Sequence, residues 1–387
     1  MARRTRQEET GGARIAHRDA CALFQGARQP KYRDLGLDVL QPGRGRRLHQ
    51  TTLEETPFWT LRRFTRDGGA GLPPMLVVPP ISGLFPALLH DLMVGLLADF
   101  RLHVLDWANV RHVPPSCGRF GFDDNLRAIT AAIRRLGPRA SVLGICQGGV
   151  PSLAAVADIA ARSPDAAPAH LVLMGAPIDP AVNPTALGAR LSGHSVYWYQ
   201  IVPIGRVPGG WPGASRWVYP ARTQLAALQL YLLAQLPVDG EIARKIRQDD
   251  GLDPLRFPFL DLVTSVMDID ARHFAENIDR VFLRRDLARG RLFFDGRRID
   301  PSAIRDTTLL TVEGASDDIA APGQTSAAHG LCPGLSAGQR QALVVEDCGH
   351  FSLFHGEICR RAVLPAIRAH CRGPAPDATR GSPASAG

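Results

Sequence analysis

An apolar run at 141–145 (SVLGI) feeds without a spacer into Gly144-Ile145-Cys146-Gln147-Gly148-Gly149, and an Ala-rich segment with helical spacing follows at 150–161. A strand that passes straight into a helix needs a tight, strained turn whose middle residue stands clear of the sheet. Glycines at 144 and 148 suit that turn, because the chain crowds around the middle residue and leaves no room for a Cβ. The pattern is the G-x-S-x-G nucleophile turn with cysteine in the serine position. It makes Cys146 the candidate nucleophile. The positive end of the following helix favours a thiolate there, and the Gln147 N–H points to where an oxyanion would form. An ordinary buried cysteine in a strand-to-helix turn would not call for two flanking glycines.

Around this turn the chain alternates short apolar runs with amphipathic segments, the pattern of a parallel sheet covered on both faces. Strands are expected at 75–78, 103–106, 141–145, 170–174, 308–312 and 342–345, and helices at 87–100, 125–136, 150–161 and 358–370. The alternation stops between Ile178 and Ile304, which reads as an inserted cap. The cap opens with 197–219 (YWYQIVPIGRVPGGWPGASRWVY), which holds three of the five Trp and three of the five Tyr among Gly and Pro without helical period. Such rigid aromatics either seal the cap or form an apolar contact surface, so Trp198, Trp211 and Trp217 are candidate substrate contacts. Helices are expected at 224–236 and 259–282. The expected division is an N-terminal extension, partly irregular, at 1–70; a first core part at 71–180; the cap at 181–304; a second core part at 305–371; and a disordered Pro/Ala/Gly/Ser tail at 372–387.

A thiol nucleophile for ester chemistry needs a histidine base held by a carboxylate, in the chain order nucleophile, acid, histidine. After the 308–312 strand comes Glu313-Gly314-Ala315-Ser316-Asp317-Asp318, a carboxylate pair at the C-terminal end of a strand, where such sheets build ligand sites. Asp317 is the candidate acid and Asp318 its alternative. After the 342–345 strand comes Asp347-Cys348-Gly349-His350-Phe351, which makes His350 the candidate base, with His329 and His355 as neighbours that compete. The second oxyanion donor is expected on the loop after the first central strand, Pro79-Pro80-Ile81-Ser82-Gly83-Leu84, through the main chain of Ile81 or Ser82.

The remaining composition excludes more than it selects. Apolar residues make up 45% and charged residues 21%, so the chain is neither fibrous nor largely unfolded. The net charge of +8 comes from scattered arginines, with no compact basic helix or arm, and gives no reason to expect nucleic acid as partner. Seven cysteines without a CxxC pair argue against a disulfide framework and a structural zinc site. No apolar run reaches membrane-spanning length and no secretory leader is evident, so a cytoplasmic protein without membrane partner, metal or organic cofactor is expected.

From about Met75 to Ala369 the sequence resembles the intracellular poly(3-hydroxybutyrate) depolymerases, cysteine-dependent members of the α/β-hydrolase superfamily. The matching segments are 76–89 (LVVPPISGLFPALL), 105–114 (LDWANVRHVP), 146–155 (CQGGVPSLAA), 173–185 (LMGAPIDPAVNPT), 312–332 (VEGASDDIAAPGQTSAAHGLC) and 349–356 (GHFSLFHG). The stretch from Asp317 to Gly323-Gln324-Thr325 is the most specific. The resemblance implies an α/β-hydrolase fold with an inserted lid, Cys146 as nucleophile, Asp317 as acid and His350 as base. It also implies a cytoplasmic enzyme that binds polyhydroxyalkanoate granules and cleaves hydroxyacyl esters. Two positions depart from the family. Cys146-Gln147-Gly148 stands where Cys-Gln-Pro is usual, and Ser82-Gly83-Leu84 where Ser-Gly-His is usual. The first makes the turn similar to the G-x-C-x-G-G of the related polyhydroxyalkanoate synthases. Asp317-Asp318 and Gly349-His350-Phe351 differ from the synthases' Asp-His and Gly-His-Ile. A synthase-like acyltransferase using hydroxyacyl-CoA and a non-catalytic granule-binding protein are the competing expectations.

Overall fold

The structure is a computed structural model that describes residues 48–81, 86–235 and 240–372. Strands β1 (Leu48–Glu55), β2 (Trp59–Arg66), β3 (Pro74–Val78), β4 (Arg101–Trp107), β5 (Ser141–Ile145) and β6 (His170–Met174) come first. A long interval with the short strands β7 (Gly205–Arg206), β8 (Trp217–Tyr219), β9 (Ile269–Asp270), β10 (Phe293–Phe294) and β11 (Arg297–Arg298) follows, and β12 (Thr308–Gly314) and β13 (Arg340–Val345) close the chain's strands. Eight of these form one sheet in the order β1-β2-β4-β3-β5-β6-β12-β13. From β4 to β13 every neighbouring pair is parallel, and β2 joins β4 antiparallel. This is the α/β-hydrolase arrangement.

Alternate side chains of the central strands enter different layers, which explains their unbroken apolar sequence. Leu76 and Val78 of β3 pack with Val142 and Leu171 against Ile129 and Leu153 of the helices Phe122–Leu136 and Gly149–Arg162. Met75 and Val77 pack on the other face with Leu143 and Val172 against Leu92 and Ile367 of the helices His90–Leu96 and Leu364–Arg372. Burying both faces fixes the register, since a one-residue slip would exchange the two layers.

Three expectations need correction. Residues 48–66, placed in the N-terminal extension, instead form β1 and β2 of the main sheet. Their sequence hides this, because β1 (LHQTTLEE) is a largely exposed edge strand and carries no apolar face of its own. The aromatic stretch 197–219 is not irregular throughout: it begins in the helix Val196–Ile201 and ends in β8. The single helix expected at 259–282 is interrupted, with Phe259–Thr264 helical, β9 paired to β8, and Ala271–Asn277 helical again. Two buried aspartates cause the break. The Asp268 carboxylate accepts from Arg111 at 3.0 and 3.1 Å and from the Ala221 N–H at 2.7 Å, and Asp270 accepts from the Arg272 N–H at 2.9 Å to start the new helix. The remainder of the expected extension, 1–47, and the tail beyond residue 372 lie outside the described residues.

Candidate active site

Cys146 is the first residue after β5, with φ +51°, a left-handed conformation that only a surrounding structure can hold for a non-glycine residue. The turn is closed from both sides. A Cβ on Gly144 would come within 2.8 Å of Ser152 Oγ, and one on Gly148 within 2.5 Å of the Val78 carbonyl. The Ser152 hydroxyl in turn donates to the Gly148 carbonyl at 2.6 Å and ties the turn to its helix. Proline, usual in the family at 148, would meet that same Val78 carbonyl.

Asp317 and His350 come from the ends of β12 and β13, strands that lie beyond β6 from the nucleophile turn. His350 Nδ1–H donates to Asp317 Oδ2 at 2.7 Å. The other oxygen, Oδ1, accepts from the N–H groups of Ile319 and Ala320, each at 2.8 Å, so the carboxylate is held at both ends. Both residues are buried, at 4% exposure. Burial alone would push the His350 imidazole down, but the Asp317 carboxylate and the Cys146 sulfur beside it raise it well above the ordinary histidine value. With Nδ1 engaged by Asp317, the other ring nitrogen is left for Cys146. Asp318 is on the surface, where its carboxylate accepts from the Tyr231 hydroxyl at 2.8 Å and the Gln235 amide at 2.6 Å. The geometry thus pairs His350 with Asp317 and not with its neighbour.

The two competing histidines sit elsewhere. His329 Nε2 meets Thr311 Oγ1 at 2.9 Å on another part of β12. His355 is buried beside Lys245, whose ammonium donates to the His355 carbonyl at 2.9 Å.

A cavity of about 270 Å³ holds Cys146, Gln147, His350 and Ile81 in its wall. Ser82 lies outside the described residues. The rest of the wall is mainly apolar, with Leu187 and Leu191 from one side of the interval after β6 and Leu228, Phe274 and Phe282 from the other. The three tryptophans do not line it. Trp198 stacks on His194 at 4.2 Å, Trp211 lies under Arg111 at 5.1 Å, and Trp217 lies under Arg206 at 4.3 Å. The indoles of Trp211 and Trp217 are 41% and 51% exposed, and each has a neighbouring arginine as a flat cationic partner at the surface. The wall residues escaped the sequence reading because they are scattered leucines and phenylalanines on separate helices, each indistinguishable from core.

The Gly323-Gln324-Thr325 stretch acquires a physical role. Glu313 Oε1, at the end of β12, accepts from the N–H groups of Gly323, Thr325 and Ser326 at 2.8 to 2.9 Å. Thr325 Oγ1 then donates to the Ala176 carbonyl at 3.0 Å and accepts from its N–H at 2.8 Å. A Cβ on Gly175, one residue earlier, would stand 3.2 Å from His350 Cε1, so this brace fixes the backbone on which the imidazole rests. Among the described residues no three His, Cys, Asp or Glu side chains converge as metal ligands would, and no helix is long and apolar enough to cross a membrane.

The fold is similar to that of solved structures. The esterase RhEst1 from Rhodococcus sp. ECU1013 superimposes with a TM-score of 0.50 at 16% identity, over 84% of this chain and 98% of that one. A hydrolase from Pseudomonas aeruginosa PA01 gives 0.48 at 16% identity, over 84% and 99%. Identities this low speak to the fold alone. No match occurs among curated proteins. The family described as PHB de-polymerase C-terminus matches residues 175–373, a span that carries both Asp317 and His350. Since that match takes in more than half of the 387 residues, the chain belongs to the poly(3-hydroxybutyrate) depolymerase family, ester hydrolases built on the α/β-hydrolase fold.

Proposed function

We propose that the protein is an intracellular poly(3-hydroxybutyrate) depolymerase that cleaves polymer esters through a thioester on Cys146. The observation that carries this reading is the chain Asp317–His350–Cys146 opening into an apolar cavity: a buried carboxylate at 2.7 Å from a buried imidazole, with a strained cysteine beside it. His350 takes the proton of the Cys146 thiol, and the sulfur attacks the ester carbonyl carbon. The Gln147 N–H and the main chain at Ile81 stabilise the oxyanion that forms. The intermediate collapses by breaking the C–O bond, and His350 returns its proton to the departing hydroxyl. Water, deprotonated by His350, then attacks the thioester, and release of the free acid restores the thiol. Asp317 holds the tautomer that keeps the lone pair of His350 toward Cys146.

The apolar wall fits an aliphatic acyl chain. The exposed indoles of Trp211 and Trp217 would supply contact area for a granule surface, which supports a reading in which the protein works on cytoplasmic granules of its substrate. The G-x-C-x-G-G form of the turn favours one second reading, in which the same thioester passes to a chain-end hydroxyl, as in the synthases.

The test is release of 3-hydroxybutyrate and its oligomers from amorphous granules by wild type and Cys146→Ala, with and without coenzyme A. Release by wild type alone is the expected result, and dependence on coenzyme A would replace water by a thiol as acceptor. Equal release by a folded Cys146→Ala would overturn the mechanism. No release by either, with coenzyme A freed from hydroxybutyryl-CoA, would establish the synthase reading. Granule binding without any turnover would leave a coat protein.

A further inference from the structure

A buried histidine stands in the mainly apolar wall of the cavity. His273, on the helix Ala271–Asn277, is 0% exposed and lines the same cavity as Cys146. Neither ring nitrogen has a hydrogen-bond partner among the described residues, and the Gly121 carbonyl faces the ring outside hydrogen-bonding geometry. The Phe120 ring packs against it at 5.7 Å. Burial holds the imidazole down to about 4, so at neutral pH it is uncharged, with one N–H to give and one lone pair to receive. Buried polar groups in folded proteins are nearly always paired, and an orphan on a cavity wall asks what it is kept for. Asn277, 5% exposed, follows one turn later and lines the same cavity, so the two side chains share a helix face.

We infer that His273 recognises an oxygen carried on the acyl chain of the substrate, with Asn277 beside it as a second polar contact. The inference rests on the reading of Cys146 as the acyl carrier, because an acyl group bonded to that sulfur enters the cavity His273 lines. An unsubstituted fatty acyl chain leaves the imidazole unpaired. A 3-hydroxyacyl chain brings an oxygen on its third carbon, either the free hydroxyl of a chain end or the ester oxygen of a further unit, and both accept the N–H of a neutral imidazole. Sites built around such a bond discriminate steeply against analogues that lack the polar atom.

The experiment compares the p-nitrophenyl esters of butyrate, 3-hydroxybutyrate and 3-acetoxybutyrate with wild type, His273→Leu, His273→Phe and His273→Gln. The quantity read is the ratio of kcat/KM for each oxygenated ester to that for butyrate. Wild type is expected to favour an oxygenated ester by about tenfold or more. Both apolar variants should bring the ratio near one, and His273→Gln should restore part of it. Preference for the hydroxy ester assigns the contact to a chain end, and preference for the acetoxy ester to the interior of a chain. A wild-type ratio near one for both, or a ratio that survives in folded His273→Leu and His273→Phe, would overturn the inference. Cys146→Ala run alongside separates the two ideas: turnover that persists there sinks the thioester reading, while the His273 ratio is still read on its own.

Discussion

Replacing Asp317 by Asn keeps the shape of the side chain and removes its charge. Oδ1 accepts two backbone N–H groups at 2.8 Å each, so the asparagine carbonyl must stay there and its NH2 must face His350 Nδ1. A ring nitrogen that faces a donor has to carry the lone pair. The imidazole proton therefore moves to the nitrogen left for Cys146, and the base can no longer take the thiol proton. An exchange of this kind behind a catalytic histidine costs about 10⁴-fold in kcat, which is about 5.4 kcal/mol of transition-state stabilisation. Asp317 does not line the cavity, so KM for p-nitrophenyl butyrate should change little. Asp318→Asn is the internal control, since it retains an acceptor for Tyr231 and Gln235 at the surface and should stay within about threefold of wild type. The measurement is steady-state hydrolysis of the two variants side by side. A loss below tenfold for a folded Asp317→Asn, or an equal loss for Asp318→Asn, would refute the tautomer argument.

The remaining predictions concern the turn, the imidazole and a buried acid. Gly148→Ala puts a Cβ 2.5 Å from the Val78 carbonyl and 3.0 Å from that of Pro79, both backbone atoms; thermal unfolding should show a cost of about 1–3 kcal/mol, and an unchanged midpoint would mean the turn is looser than drawn. Cys146→Ala removes one of the two groups that raise His350, so NMR titration of the ring should show its pKa move down while Asp317 still holds it up. A raised histidine stabilises the fold fully below the free value of 6.5 and loses that contribution as pH climbs through the folded value; Asp317→Asn should shrink this alkaline loss to the part that Cys146 supplies. Asp91, 2% exposed, would be pushed up by burial, but His90, His355 and the N–H groups of Gly356 and Leu252 hold it at about 2 against 3.8. Its contribution, about 2 kcal/mol, is therefore present above pH 3.8 and lost toward pH 2. In Asp91→Asn, denaturant unfolding between those values should lose that slope, and a slope that remains would assign acid sensitivity to other carboxylates.

The strands that carry the chemistry were readable because burial on both faces leaves an unmistakable apolar run: β5 and β6 fall on the expected residues, and β12 differs only by two residues at its end. What escaped detection had weak local signals. The edge strand β1 is polar because one side of it meets water, and the break at Asp268 depends on Arg111, a residue 157 positions away. The same holds at the site. Nothing local separates Asp317 from Asp318; their partners do, since His350 meets Asp317 from a loop 33 positions away while Tyr231 and Gln235 hold Asp318 at the surface from 87 and 83 positions away.

The sequence by itself singled out Cys146 as the candidate nucleophile, because a cysteine between glycines at a strand-to-helix junction is a local geometric demand that needs no partner to be recognised. It also placed the acid and the histidine at the ends of the right strands, since strand order and loop position follow from periodicity. Only the tertiary structure decided which aspartate turns inward, which aromatics face water and which line the cavity, and that His273 stands unpaired in its wall. Those outcomes depend on contacts between segments remote along the chain, and their energies come from burial and pairing that no single segment carries.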